Sequence, residues 1–590
     1  MNSKSRFTKV RILTLIALGV ITLSLTHAFA DNWPQWGHDQ THTGTVNVAG
    51  QNLNTILANI VYDPFVEQEK APGNGDGDLL VHYQTPLVDG NNVYMEFKTG
   101  TYTSITTWET QTWNEKKLHW ADGNLVEQWN FESDWKPVPY NPAGLFWEPV
   151  FHATLAGSFV YVPGAGGTVF KVSKSNGSLV TRYNPFDMEE GGHEGEVVSN
   201  IFLTGPITAD SAGNVYYNTL KLSKTNPWGA DVINAWLVKV SAGGTISKAK
   251  FKTITTPASG PNDPCEVGFS TPPPWPPSPT AVAPTIPCGN VRPGINVAPA
   301  VGPDGTIYTI ARNHFVTRYG YVVAVNSNLT PKWTASMHGV LNDGCNVQIP
   351  PNGTPGGCSV GATTGVAPDT NSLPSGRVLD DSTSSPVVAP DGSVVYGSYT
   401  RYNYAQGHML RFSSTGQFLA SFIFGWDVTP AIYSHGGTYS IVTKDNHYGG
   451  VGSYCNVESV CPSDRTASNP GYPEEYFVTQ LSPALTVEWK FKNTNTFACT
   501  RQPNGSVTCD DGTAHPNGFE WCVNAPAIDS NGVVYANSED GNLFAINQGG
   551  TLKQKIFQQL ALGAAYTPAS IGGDGKLYSQ NDGHLYVVGN

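Results

Sequence analysis

Tryptophans, carboxylates and cations recur in this chain just ahead of a particular set of prolines. Trp147 and Glu148 precede Pro149, Arg292 and Asn296 precede Pro299, and Asp380 and Asp381 precede Pro386. Trp426 and Asp427 precede Pro430, while Glu520, Trp521, Cys522 and Asn524 precede Pro526. His82 and Tyr83 stand in the same place before Pro86. Arg312, His314, Arg318, Arg401, Lys444, Asp445 and His447 sit beyond the apolar runs that follow such prolines. Sent to one funnel, these groups are what a buried polar ligand needs; the bland alternative is a mouth that is polar because it is wet. Histidines from separate segments (His82, His314, His447) could hold a metal, although none has the close spacing of a local metal motif. Cys522 could be a nucleophile, but no neighbouring residue visibly lowers its pKa, so a buried thiol accounts for it better.

What would position these residues is a repeat. Ala525–Asn547 reads as three short strands and two turns: Ala527-Ile528, then Val533-Val534-Tyr535-Ala536, then Leu543-Phe544-Ala545-Ile546. Asp529-Ser530-Asn531-Gly532 and Ser538-Glu539-Asp540-Gly541 supply the turn chemistry. One copy cannot bury both its faces. Eight copies occur, opening at Pro86, Pro149, Pro206, Pro299, Pro386, Pro430, Pro526 and Pro568, and no interval is shorter than 42 residues. That is room for a four-stranded blade, with insertions where the interval is longer. The eighth copy ends after its third strand, and Ile56–Tyr62 is a strand without a blade. The expectation is an all-β fold: a single eight-bladed β-propeller of four-stranded antiparallel blades, its ring closed by an N-terminal strand. The Asp-Gly turns (Asp304-Gly305, Asp391-Gly392, Asp574-Gly575) fall on one face and read as ordinary turns rather than calcium loops. The polar approaches to the prolines fall on the other.

Composition narrows the class. Lys4, Arg6, Lys9 and Arg11, the apolar run Ile12–Leu25 and Ala28-Phe29-Ala30 spell a cleavable export signal over residues 1–30. The propeller is then residues 31–590, periplasmic or secreted, with no stable membrane insertion and a monomer by default. A net charge of −13 argues against nucleic acid as a partner. Nine cysteines pair naturally in an oxidising compartment: Cys265 with Cys288 around a proline-rich insertion at 255–296, Cys345 with Cys358, Cys455 with Cys461, and Cys499 with Cys509. Cys522 is left over.

The repeats, together with the opening Trp33-Pro34-Gln35-Trp36-Gly37-His38-Asp39, resemble the pyrroloquinoline-quinone-like (PQQ-like) β-propeller repeat proteins. That superfamily includes quinoprotein alcohol dehydrogenases and an outer-membrane assembly factor that binds no cofactor. The first branch implies an oxidoreductase holding PQQ with calcium. Trp147, Trp426 or Trp521 would stack on the quinone, and Arg292 or Arg318 would meet its carboxylates. Glu148 and Asn296 would bind the metal, with Asp380 or Asp381 as base. The second branch implies a binding or assembly module for a protein or glycan partner, and this reading leads. The chain departs from the dehydrogenase pattern in having no adjacent Cys-Cys pair. Gly177 and Gly550 also lack the tryptophan that closes the family repeat.

Overall fold

The computed structural model describes Met1 and residues 32–73, 84–141, 148–187, 195–349, 357–381, 384–400, 402–426, 428–448, 474–521, 524–562 and 568–590. Eight antiparallel sheets carry the four-stranded blades, numbered here in chain order. Blade 7 shows the plan: Ala527–Ile528, Val534–Asn537, Asn542–Asn547 and Thr551–Phe557 run from the axis outward. Alternation along its second strand divides the core. Val534 and Ala536 pack toward blade 6 with Val442, Val478 and Trp521, whereas Val533 and Tyr535 pack toward blade 8 with Leu577, Leu585 and Val587. Two β-branched and aromatic faces per blade are why the repeat is rich in Val, Ile and Tyr. The Asp-Gly turns spend their carboxylates on themselves, as Asp304 Oδ1 does in accepting the Thr306 N–H at 3.0 Å. No helix among the described residues is long and apolar enough to cross a membrane.

Blade 8 is completed as the sequence implies. Thr55–Val61 pairs with His584–Gly589, from Thr55 opposite Gly589 to Val61 opposite His584. Its unpaired third strand would otherwise expose an edge.

The outer rim interlocks through tryptophans. Trp129 of blade 1 lies against Gly177 of blade 2, Trp333 of blade 4 against Gly416 of blade 5, and Trp489 of blade 6 against Gly550 of blade 7. The indole N–H groups of Trp129 and Trp333 donate to Lys174 O (3.2 Å) and Ser414 O (2.8 Å) in the turns that carry these glycines. Gly177 and Gly550, whose own fourth strands carry no tryptophan, thus receive one from the preceding blade. A Cβ on Gly416 would sit 2.7 Å from the Trp333 ring at a backbone φ of +83°. Gly416→Ala should destabilise the fold by about 1–3 kcal/mol, seen as a lower denaturant midpoint; an unchanged midpoint would show that the rim contact does not hold blades 4 and 5 together.

Residues 33–51 do something the sequence did not announce. They thread around the axis on the Asp-Gly face and touch the blades in order. Trp33 exchanges both backbone bonds with Val88 of blade 1 (2.9 Å each), and Pro34 O accepts from Leu155 of blade 2 (2.8 Å). Gln35 Oε1 accepts from Ala209 of blade 3 (2.6 Å). Gln40 O accepts from Val301 of blade 4, Thr41 O from Val388 of blade 5, Thr43 O from Ile432 of blade 6 and Gly44 O from Ile528 of blade 7. Finally the Gln51 N–H donates to Gly575 O of blade 8 (2.7 Å). Gly44 (φ +66°) is required because a Cβ there would meet Pro526 O at 2.8 Å.

Trp33, Trp36 and His42 of this thread are fully buried. His42 Nδ1 lies 2.9 Å from Pro386 O, and Trp36 packs edge-on against His152. Burial lowers the pKa of both His42 and His152 from 6.5 to about 4. A folded pKa below the unfolded one gives stability that is complete above pH 6.5 and is lost as pH falls toward 4. The melting temperature should therefore decline across that window, and His152→Asn should shrink the decline; a profile flat from pH 7 to 4 would contradict the burial of these rings.

Candidate functional site

The face opposite the thread receives the residues that precede each opening proline, and many of them serve the ring itself. The Ala298 N–H donates to Ser385 Oγ (2.9 Å), the Ser385 N–H to Thr429 Oγ1 (3.0 Å) and the Thr429 N–H to Asn524 Oδ1 (2.7 Å). This relay links blades 4, 5, 6 and 7. Asn296 extends it: its N–H donates to Thr204 O (2.6 Å) and its Oδ1 accepts the Val150 N–H (2.9 Å). The side-chain oxygen expected to face a cation is thus committed to blade 2.

Glu148 belongs to a buried charged group around Lys98. Lys98 Nζ lies 2.8 Å from Glu148 Oε2 and from Asp63 Oδ2, and 3.7 Å from Glu69 Oε1. Trp113 Nε1 donates to Glu148 Oε1 (3.1 Å). Burial opposes the Lys98 charge, but Asp63, Glu148 and Glu69 outweigh it and raise its pKa. Glu96 and Glu115 face each other across the second and third strands of blade 1. Burial raises the pKa of both, Glu115 to about 8, so their facing positions disfavour a pair of negative charges. Lys98→Met would leave three carboxylates without their cation and should cost about 3–5 kcal/mol by chemical denaturation. Lys98→Arg should recover most of that loss.

A second buried group joins blades 4 and 5. Arg292 donates to both oxygens of Asp380 (2.8 and 2.6 Å), and Arg312 Nη1 lies 3.3 Å from Asp380 Oδ2. Burial disfavours the Asp380 charge, yet the two guanidiniums overcome it and hold the pKa below the ordinary value. A carboxylate held this way is a poor proton acceptor. Arg292 Nε also donates to His314 Nδ1 (3.0 Å), and burial with the two arginines drives the His314 pKa down to about 3. Asp381 is buried beside them.

The remaining expected residues do not join these groups. Arg318 pairs with Asp369. Trp426 is half-buried, edge-on to Tyr399 at 5.1 Å. Trp521 is fully buried, packed edge-on against Phe544 at 4.9 Å and near Phe491. His447 pairs with Asp445, which also accepts from Lys490 (2.7 Å). Trp147, His82, Asp427, Arg401, Cys522 and the Cys455/Cys461 pair lie outside the described residues. Among the described residues no group of three or more His, Cys, Asp or Glu side chains is placed to hold a metal ion. With Glu148 tied to Lys98, Asn296 to Val150 and Trp521 in the core, these residues as arranged do not fit PQQ with calcium.

Two long insertions also rise from this face. The insertion before blade 4 is closed by Cys265–Cys288 and the one before blade 5 by Cys345–Cys358; Cys499–Cys509 closes a smaller hairpin. The first two insertions are joined into one lobe. The Phe269 N–H donates to Asp369 O, the Ser359 N–H to Trp275 O and Ser372 Oγ to Glu266 Oε1, each at 2.9 Å. Asn371 Nδ2 donates to Ala281 O at 2.9 Å, and Trp275 packs against Cys345, Ile349 and Cys358. The cysteine spacing foretold each loop's staple; nothing in it foretold that the loops would meet.

Neither a protein-family model nor a curated protein matches the sequence. Solved structures do. A europium-containing methanol dehydrogenase aligns over 93% of this chain and 89% of its own, with 10% identity and a TM-score of 0.45. The quinohemoprotein alcohol dehydrogenase of Comamonas testosteroni aligns over 95% and 80%, with 12% identity and a TM-score of 0.47. BamB of Moraxella catarrhalis aligns over 87% and 86%, with 10% identity and a TM-score of 0.29.

Proposed function

We propose that this chain is an exported binding module that holds a protein or glycan partner, with the lobe before blades 4 and 5 as its recognition surface. The observation that supports this reading is the knitting of two sequence-distant insertions into one body, each closed by its own disulfide. Loops that must order on contact cost about 0.5–1.5 kcal/mol per immobilised side chain. Loops already cross-linked and hydrogen-bonded to each other avoid most of that cost. Rigidity of this kind is wasted on connectors that only join blades. The propeller underneath serves as a frame, its own polar residues largely taken up by the blade-to-blade relay and the buried ion groups.

The experiment that separates this reading from a quinoprotein oxidoreductase is a titration of the purified mature protein with PQQ and calcium, followed by absorbance and by metal analysis after dialysis. The expected outcome is no retained chromophore and no stoichiometric calcium. A bound chromophore lost on Glu148→Ala or Asp381→Ala would overturn the binding-module reading in favour of the enzyme.

A further inference from the structure

Each blade ends in an outer strand, and among the described residues no further strand pairs with its far edge. Six of these eight strands carry a charged side chain: Glu127, Arg182, Lys248, Lys332, Lys490 and Lys553, in blades 1, 2, 3, 4, 6 and 7. Charge on an edge strand guards it against pairing with a foreign strand. Thr55–Val61 of blade 8 is uncharged, but it lies beside Asn124–Glu132 of blade 1. Phe418–Ile423 of blade 5 is uncharged too, as is the whole stretch 412–426 around it. Its close strand neighbour is Gly407–Phe412 of its own blade.

This edge has the geometry to accept a strand. Its register is unbroken from Ala420 opposite Arg411 to Ile423 opposite His408. The Phe424 N–H donates to Gly407 O (3.3 Å), which marks those two residues as a hydrogen-bonded pair. Alternation then makes Phe422 and Ala420 the inward-bonded residues and turns the N–H and C=O of Ser421 and Ile423 outward. Among the described residues no backbone group meets them there. Ala420 and Phe422 pack toward blade 6 with Met409 and Tyr439, whereas Leu419 is 48% exposed and Ser421 is exposed beside it. A run of this composition, with high β-propensity, no charge and no proline, is an aggregation hazard when left bare. The other blades show how this chain guards an edge, so the omission in blade 5 points to an edge kept for pairing.

A row of main-chain donors and acceptors at strand spacing is matched by another strand, and a sugar has no such repeat. A second copy of the ring fits poorly. Two rigid edges would join over six residues, against the roughly 800 Å² per partner of a stable interface. An extended segment escapes that demand, because it can follow the twist of the edge by itself.

We infer that blade 5 binds an extended, uncharged segment of a protein partner as a fifth strand beside Phe418–Ile423, at a site separate from the lobe. Random displayed peptides panned on the full mature protein should enrich short uncharged runs rich in Val, Ile and aromatic residues. In a synthetic copy, backbone N-methylation should cut affinity about tenfold or more at alternate positions only, since every second N–H faces away from the edge. Ser421→Pro removes an outward N–H and keeps the inner ladder, and Leu419→Lys puts a charge at the exposed edge. Each variant should cost a similar factor with its circular dichroism unchanged, and bound peptide should slow amide exchange at Ser421 and Ile423. If Ser421→Pro fails to fold, Leu419→Lys and the exchange measurement decide. Enrichment of no such peptide, affinity indifferent to Leu419→Lys, or N-methylation tolerated at every position would overturn the inference. A concentration-dependent dimer abolished by Leu419→Lys, with no peptide bound, would also overturn it by making the occupant a second copy. All of these outcomes leave the lobe's proposed role standing, which the quinone titration judges separately.

Discussion

Ring closure is the constraint on which the rest of this structure depends. Each blade buries two faces, so a ring open at any seam would expose two apolar sheets at once. The chain closes the seam between its ends by lending Thr55–Val61 to blade 8, a strand separated in sequence by nearly the whole propeller from the strand it joins. Such pairing carries a large loop-closure entropy and can form only when the other blades have already gathered its two ends. Residues 33–51 make the closure redundant by contacting the blades in succession before the closing strand begins. The N-terminal segment is therefore both clasp and inner hoop, and the tryptophan–glycine contacts form a partial outer one.

This division of labour explains why the polar mouth is less open to chemistry than its composition suggests. A residue just before an opening proline sits at the innermost point of its blade, where neighbouring backbones converge and their N–H groups must be satisfied. Ser385, Thr429, Asn524 and Asn296 meet that need. Charges buried a little farther out, Lys98 with its carboxylates and Asp380 with its arginines, are compensated almost entirely within the protein. Buried ion pairs of this kind add little net stability, but losing one partner is severe.

The blade pattern was legible because it rests on local chemistry repeated many times. Asp-Gly turns, Val-Tyr strands and the missing fourth strand of the last copy each imply one structural statement, and together they imply a closed ring. The candidate site was legible only as a list of residue types. Trp521 reads the same in sequence whether it floors a cofactor or fills the seam between blades 6 and 7, because both roles place an indole before a proline. Glu96 and Glu115 become neighbours only once the register across the 101–110 connection is known, and no tight turn fixes that register in advance. The inner hoop left still less trace, since most of its bonds are made by backbone groups that every residue possesses.

The lobe follows from the same physics. A propeller frame satisfied at its axis and clasped at its seam tolerates long excursions between blades, because an insertion there begins and ends at nearly the same place. Most such excursions would be mobile. Here two of them share a hydrogen-bonded boundary, and the proline-rich character of the first limits how many conformations it must give up to do so. The arginine pair at their base lies where blade 4 meets the second insertion, with Arg318 held by the frame and Arg377 by the insertion's return to blade 5. Asp369 accepts from both, so the placement of the two guanidiniums is set by the lobe as a whole rather than by either loop.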